Sequence, residues 1–294
     1  MFRSLIFVPG VSARFVEKAK TLAADVICFD LEDSVPANEK ENARAIISEA
    51  IASHRKEYAR PVYVRVNAPD SGLIASDLNA VLKEGIDGIV VPKVNTAEEL
   101  VEVTQTIASF EQSHGIEEGE QAGESLISII PSIETASGVV NAYEIARSDK
   151  RIQALVFGVF DYLYDMKLDY DEHDPSGYKY ARAKVPVDAR AAGVAAIDAI
   201  WQKVDDIDGL KKDAEIARRL GYSGKSLVHP SQIEPVHSIF KPGRNEVEWA
   251  RKVVKALAEA NEKGTGRGAV RLEGRMVDAV HYKQAKAILD ESGS

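Results

Sequence analysis

Eight short runs of aliphatic and β-branched residues punctuate the chain, at 5–8, 26–31, 62–66, 88–91, 126–130, 154–157, 194–197 and 226–228. Their starts recur about every 32 residues, the size of one strand–helix unit. Between them lie Ala-, Glu-, Lys- and Leu-rich segments with helical patterning, among them 12–24, 39–54, 97–111, 139–146, 181–192 and 209–220. A strand covered on both faces reads as a continuous apolar run, so this alternation predicts a parallel sheet clothed in helices. Eight such units point to an α/β fold of the closed (β/α)₈ TIM-barrel type. An open doubly wound sheet is the alternative, because periodicity does not register closure. Its dinucleotide-binding form lacks a signature here, since no G-x-G-x-x-G follows the first run. After Phe240-Lys241-Pro242-Gly243 the pattern changes. A helix is expected over 245–261, a Gly-rich stretch without a phosphate-loop pattern over 264–268, and a further helix over 275–290. The division predicted is therefore a barrel over 1–240 and a helical extension over 241–294, serving as a lid, an oligomer contact, or both.

Composition narrows the ligand classes. With 45% apolar residues in 294, there is ample material for a core. A formal net charge of −9 argues against a general nucleic-acid partner, which needs cations to replace phosphate counterions. It leaves room for a local basic pocket facing an anionic ligand. The one cysteine, Cys28, excludes an intrachain disulfide framework and suits a reducing cytoplasm; inside a strand it reads as a small core residue. No apolar run approaches the ~18 residues of a membrane span, and the opening apolar stretch is too short for a signal peptide. The segment 111–124 reads as an exposed loop. The acidic segment 165–177 (Asp165, Asp169, Asp171, Glu172, Asp174) lacks the ligand spacing of a calcium loop and reads as solvated.

Barrel enzymes build their sites at the C-terminal ends of strands. Here those ends carry Pro9-Gly10, Asp30-Leu31-Glu32-Asp33, Arg65, Lys93, Glu134, Asp161, Asp198 and His229. Glu134 and Asp161 lie 27 positions apart, close to one unit, and follow consecutive runs. Neighbouring strands are about 4.8 Å apart, so the two carboxylates can share an ion. Two carboxylates completed by water and ligand oxygens suit Mg²⁺. The competing reading makes Glu134 a helix cap and Asp161 the start of a helix. Arg65 suits a carboxylate or developing oxyanion through its donor fork; equally, it can pair with Asp30, Glu32 or Asp33, and both can hold at once. Arg14 and Lys18, four apart on one helix, either meet a phosphate-bearing ligand or form a solvated face. Lys93 is either a Schiff-base amine or a structural charge, and His229 a base or a hydrogen-bonded loop residue.

These segments resemble those of the citrate lyase β-subunit-like and malyl-CoA lyase family, Mg²⁺-dependent acyl-CoA lyases of the HpcH/HpaI aldolase superfamily. The matching stretches are RSLIFVPG (3–10), DLEDSV (30–35), VRVN (64–67), VPK (91–93), IET (133–135), FGVFD (157–161), ARAAGV (189–194) and GYSGKSLVHPSQI (221–233). The resemblance implies a barrel that breaks or makes a carbon–carbon bond beside a thioester. It implies Mg²⁺, with Mn²⁺ as a substitute, on Glu134 and Asp161. It implies substrate contact by Arg65, and an acyl-CoA and 2-oxo acid site that includes Pro9, Arg14, Lys18, Glu134 and the Ile197-Asp198 backbone. Asp30, Glu32, Asp33 and Lys93 are expected to support that site. The lid motif G-x-M-[IV]-D appears as Gly274–Asp278, making Asp278 the expected catalytic acid/base. Family members lead one to expect a homotrimer or homohexamer whose lid reaches a neighbouring subunit. The lid further points to free acyl-CoA rather than a carrier-protein complex. A citrate lyase β-subunit and a metal-dependent aldolase on free oxo acids are the alternatives. Two departures from the pattern are Val11, where a polar residue is common, and Glu273, where Asp is frequent.

Overall fold

The computed structural model describes residues 2–116, 126–171, 174–262 and 268–292. Residues 117–124 of the expected loop, Glu172 of the acidic segment, and 264–267 of the Gly-rich stretch lie outside them. Two compact units are present, Met1–His237 and Ser238–Ser294.

The first unit is a closed barrel of eight strands in sequential order, every neighbouring pair parallel. The strands are β1 (Ser4–Pro9), β2 (Val26–Asp30), β3 (Val62–Arg65), β4 (Gly88–Val91), β5 (Ser128–Ile133), β6 (Ala154–Phe157), β7 (Ala195–Asp198) and β8 (Gly224–Leu227). The helices are α1 (Ala13–Ala19), α2 (Lys40–His54), α3 (Ile74–Val81), α4 (Val101–Ser113), α5 (Ala136–Ala146), α6 (Val159–Asp165), α7 (Lys179–Ala192), α8 (Ile207–Leu220) and α9 (Ile233–Phe240). Closure follows from pairing of β1 with β8, Leu5 facing Ser226. The open-sheet alternative is thereby excluded. Strand side chains alternate between the barrel interior and the helix layer. Leu5, Val26, Cys28, Tyr63, Val90, Ile130, Val156 and Ile197 fill the interior. Cys28 is a free, buried thiol there, as its position predicts.

Alternation also settles the Asp198 side chain, as distinct from the Ile197-Asp198 backbone expected at the substrate site. Ile197 points inward, so Asp198 points into the helix layer. Its carboxylate accepts from Arg182 Nε (3.0 Å) and Nη2 (2.7 Å) and from Lys225 Nζ (2.6 Å). Asp213 on α8 pairs with the same two cations, at 2.8 and 2.5 Å. Two carboxylates and two cations thus make a neutral buried group behind β7 and β8, and the Asp198 side chain is structural. Removing one partner of a buried ion group leaves uncompensated charge in low dielectric, at a cost of about 3–5 kcal/mol. Asp198→Ala is therefore expected to lower unfolding free energy by about that amount, as read by urea denaturation.

The second unit holds α10 (Arg244–Glu262), an antiparallel hairpin of β9 (Ala269–Leu272) and β10 (Arg275–Asp278), and α11 (Ala279–Ser292). The helix expected over 275–290 thus begins four residues late, and Arg275–Asp278 is a strand. The cause is the turn: Glu273 (φ 47°) and Gly274 (φ 83°) both occupy the left-handed region, which a two-residue hairpin turn requires. Gly274 serves that turn, and Glu273 pairs with Lys252 at 2.5 Å. Val277 from the hairpin packs with Ala250, Val253 and Leu257 of α10 and Ala285 of α11. Among the described residues, no helix is long and apolar enough to cross a membrane.

Candidate active site

Parallel closure brings all eight strand exits to one rim, where a cavity of about 450 Å³ opens. Phe7, Pro9, Asp30, Arg65, Glu134 and Asp161 are among its lining residues.

The rim is organised by a facing pair. Asp30 and Arg65 are partners in the β2–β3 register. Arg65 donates from Nε and Nη2 to the two Asp30 oxygens, at 2.7 and 2.8 Å. The same carboxylate accepts the backbone N–H of Glu32 (2.9 Å) and of Ser34 (3.1 Å), which shapes the exit loop. Burial, the largest influence, would raise the Asp30 carboxyl, but the Arg65 charge and the hydrogen bonds from Arg65, Ser34 and Glu32 together outweigh it and hold the group below the usual range. Arg65 also stacks on Phe7, 4.5 Å from its ring centroid. Of the two readings of Arg65, the ion pair is realised, and the guanidinium still lines the cavity.

Glu134 follows β5 and is 4% exposed. It does not cap the next helix: Thr135 does, accepting from Gly138 N. One Glu134 oxygen accepts the Lys93 backbone N–H at 2.7 Å. Burial, together with the charges of Glu32 and Asp161, pushes the Glu134 carboxyl up to about 8. Asp161 sits in the first turn of α6 with its helix N-cap at Gly158. A Cβ at Gly158 would lie 2.2 Å from Glu134 Oε2, so only glycine lets the strand exit pass this carboxylate.

Lys93 joins the carboxylates. Its ammonium contacts Glu32, Asp33 (3.3 Å) and Asp161 (3.4 Å). Those carboxylates outweigh burial and raise its pKa, so it is a fixed cation and not a Schiff-base amine. Glu32 is buried; burial pushes its carboxyl up despite Arg65 and Lys93. Glu32 Oε2 has no hydrogen-bond partner, for Arg65 Nη1 at 3.2 Å is out of alignment.

Sequence reasoning missed Lys40. From the start of α2 it donates to the carbonyls of Leu31 (2.6 Å) and Glu32 (2.8 Å) and to Asn67 Oδ1 (2.6 Å), pinning the β2 exit from below. No spacing signal marks it. Other candidates stand apart. Arg14 and Lys18 are exposed on α1 and form no ion pair among the described residues; neither is among those lining the cavity. Ile197 belongs to the barrel core, and neither it nor Asp198 lines the cavity. His229 Nδ1 is hydrogen-bonded to Ser231 as a loop residue. In the acidic segment, Asp165 accepts the Ala136 N–H and Asp174 caps the turn at 175–177. Asp278 caps α11 in the second unit; its Oδ1 accepts from Val280 N at 3.0 Å and lies 2.7 Å from His281 Nδ1. The hydrogen bond with His281 lowers the Asp278 pKa.

The rim fits a divalent cation. Five carboxylates (Asp30, Glu32, Asp33, Glu134, Asp161) face two cations, Arg65 and Lys93, within the same contact network. The upward shift of Glu134 marks negative charge that the protein does not neutralise, and Glu32 Oε2, although ion-paired with Arg65, accepts no hydrogen bond. Among the described residues no three His, Cys, Asp or Glu side chains form a ready cage. Mg²⁺ does not require such a cage: it takes one or two carboxylates and keeps its other positions for water and ligand oxygens.

A parallel barrel with a charged cavity at its strand exits is a (β/α)₈-barrel enzyme by construction. More narrowly, the chain belongs to the HpcH/HpaI aldolase/citrate lyase family, whose model matches residues 3–230, and it is an enzyme of that lyase and aldolase group. It is 34% identical to the citrate lyase subunit beta of Haemophilus influenzae, over 99% of this chain and 97% of the relative. It is 32% identical to a (3S)-malyl-CoA thioesterase of Cereibacter sphaeroides, over 98% and 93% of the two chains. The crystal structure of CitE from Mycobacterium tuberculosis, in complex with magnesium, acetoacetate and coenzyme A, superposes with a TM-score of 0.78 at 27% identity. It covers 99% of this chain and 98% of that one. Because the citrate lyase subunit beta and the (3S)-malyl-CoA thioesterase both match nearly end to end, the C-terminal extension does not separate the two kinds of relative.

Two expectations follow. Gly158→Ala drives the Glu134 carboxylate aside and lowers Mn²⁺ affinity by about tenfold or more, measured by electron paramagnetic resonance of free Mn²⁺. A proton must leave Glu134 before a cation binds, so Mn²⁺ affinity rises with pH from 6 and levels off above about 8. The linked sign is opposite for the metal-free protein. Its Glu134 pKa lies above the unfolded value, so this group's stability contribution is lost as pH climbs through about 8. Melting curves with and without Mn²⁺ across that range check both.

Proposed function

We propose that the protein is a Mg²⁺-dependent carbon–carbon lyase. Its substrate is a 3-hydroxycarboxyacyl-CoA such as malyl-CoA or citramalyl-CoA, cleaved reversibly to a 2-oxo acid and acetyl-CoA or propionyl-CoA. The observation that carries this reading is the unneutralised carboxylate surplus around Glu134 and Asp161, opposite a guanidinium locked in place. It is supported by a structural relative described with magnesium, acetoacetate and coenzyme A.

Glu134 and Asp161 hold the ion. When bound, Mg²⁺ supplies Lewis acidity toward the oxo-acid oxygens. Arg65 binds the carboxylate and the oxygen on which charge develops. Its fork is already oriented by Asp30, so little reorganisation is needed during reaction. Phe7 covers one guanidinium face and keeps water from it. As the bond to the carbinol carbon breaks, its electron pair passes to the thioester enolate, the carbinol hydroxyl gives up its proton to solvent, and the carbinol becomes a ketone. Asp278 moves the proton at the acyl α-carbon, donating it in cleavage and removing it in condensation. His281, 2.7 Å away, orients the carboxylate. Pro9 lines the ligand cavity, and Arg14 and Lys18 face the phosphates of CoA.

A second reading rests on the 34% identity to a citrate lyase subunit beta, which favours a thioester borne on a carrier protein. One assay separates the readings: purified chain with a panel of CoA thioesters, with and without Mg²⁺. A lyase releases 2-oxo acid and acyl-CoA; a thioesterase releases free thiol; a carrier-dependent subunit releases neither. An aldolase on free oxo acids works without CoA. Glu134→Ala and Asp161→Ala are each expected to reduce turnover by about 10²- to 10³-fold, the rate equivalent of losing several kcal/mol. Wild-type turnover in both variants overturns the site assignment.

A further inference from the structure

Lys93 stands in the left-handed region (φ 53°), which L side chains rarely adopt. That backbone directs two groups at the rim. The N–H goes to Glu134 Oε1 at 2.7 Å, while the ammonium reaches Glu32 and lies 3.4 Å from Asp161. One residue therefore touches both carboxylates of the proposed ion pair and the buried carboxylate behind them.

Glu32 is the unused group. One of its oxygens is taken by Lys93; Oε2 is buried, accepts no hydrogen bond and has only the unaligned Arg65 Nη1 beside it at 3.2 Å. It is close enough to Glu134 for its charge to act on that carboxyl more strongly than any other. A carboxylate with an oxygen that accepts no hydrogen bond, joined through Lys93 to Glu134 and Asp161, has the chemistry of a third ligand once it is released. Hard divalent ions bind more tightly as charged ligands are added, and they lose water positions in the process. A 2-oxo acid needs such positions, because its carboxylate and oxo oxygens enter side by side.

We propose that Lys93 is a positioning residue that withholds Glu32 from the ion, limiting the protein to two carboxylate ligands and reserving coordination positions for a 2-oxo acid. This rests on the reading that Glu134 and Asp161 hold the ion.

The test uses the full chain, Mn²⁺ alone as probe, and no thioester. Free Mn²⁺ is read by electron paramagnetic resonance and bound inner-sphere water by proton relaxation. Lys93→Met removes the charge and keeps the stem. Lys93→Asn does the same with a residue that tolerates φ above zero, so the test survives if the first variant fails to fold. Both are expected to bind Mn²⁺ about fivefold more tightly or better, with about one inner-sphere water lost as Glu32 joins. Pyruvate then adds to the Mn²⁺ form more weakly than in the wild type. Lys93→Arg keeps wild-type affinity and water count. The double variant Lys93→Met/Glu32→Gln recovers the wild-type water count. Unchanged or weaker Mn²⁺ binding in the neutral variants overturns the proposal. So does tighter binding with an unchanged water count, which would be a charge effect alone. If Glu134→Gln binds Mn²⁺ as the wild type does, the underlying site assignment falls instead.

Discussion

The bidentate pair of Asp30 and Arg65 is the interaction on which the rim depends. The two residues face each other because β2 and β3 run parallel in a register that sets their Cα atoms opposite. Neither is tolerable alone, since both are nearly buried and an unpaired charge there costs several kcal/mol. Paired, they do more than cancel. Asp30 takes two backbone N–H groups that would otherwise be orphaned in the β2 exit, and this places Glu32. Arg65 is left with one face on Phe7 and one flank on Glu32, and it cannot turn away from the cavity.

Around that pair the arrangement runs toward negative charge. Lys93 and Arg65 are shared among more carboxylates than they can neutralise. The chain's net charge of −9 gives no hint of this, because the balance that matters is local. Behind β7 and β8 the opposite choice is made: Asp198, Asp213, Arg182 and Lys225 cancel completely. Buried ionic groups in one barrel thus serve two ends. A neutral set ties strands to helices, and an unbalanced set is open to an outside cation.

Much of this was legible in the residues. Fully covered parallel strands have to be apolar on both faces, so their runs stand out, and eight of them predict a barrel. Arg65, Glu134 and Asp161 were visible because they follow such runs at the active rim. What was lost turns on finer geometry. Asp198 also ends a strand, but a period of two sends it outward where Ile197 goes inward, and no run length reveals that parity. The strand at Arg275–Asp278 reads as helix until the turn at Glu273-Gly274 is recognised. Lys40 contacts carbonyls eight and nine residues behind it, contacts with no side-chain pattern to betray them. Glu32 was seen, but its bare oxygen is a property of three-dimensional alignment only.

The seam between β1 and β8 has a consequence for how the molecule assembles. Ser4 to Ile6 pair with Lys225 to Leu227, joining residues more than two hundred positions apart. Closing a ring across so long a stretch of chain costs conformational entropy that the contacts of the seam have to offset. Without the seam the carboxylates of the rim would lie on an open sheet and would not converge. A divalent ion that binds only the closed ring draws the population toward closure by mass action. The ion that would serve the chemistry would thus also act as a thermodynamic latch on the barrel.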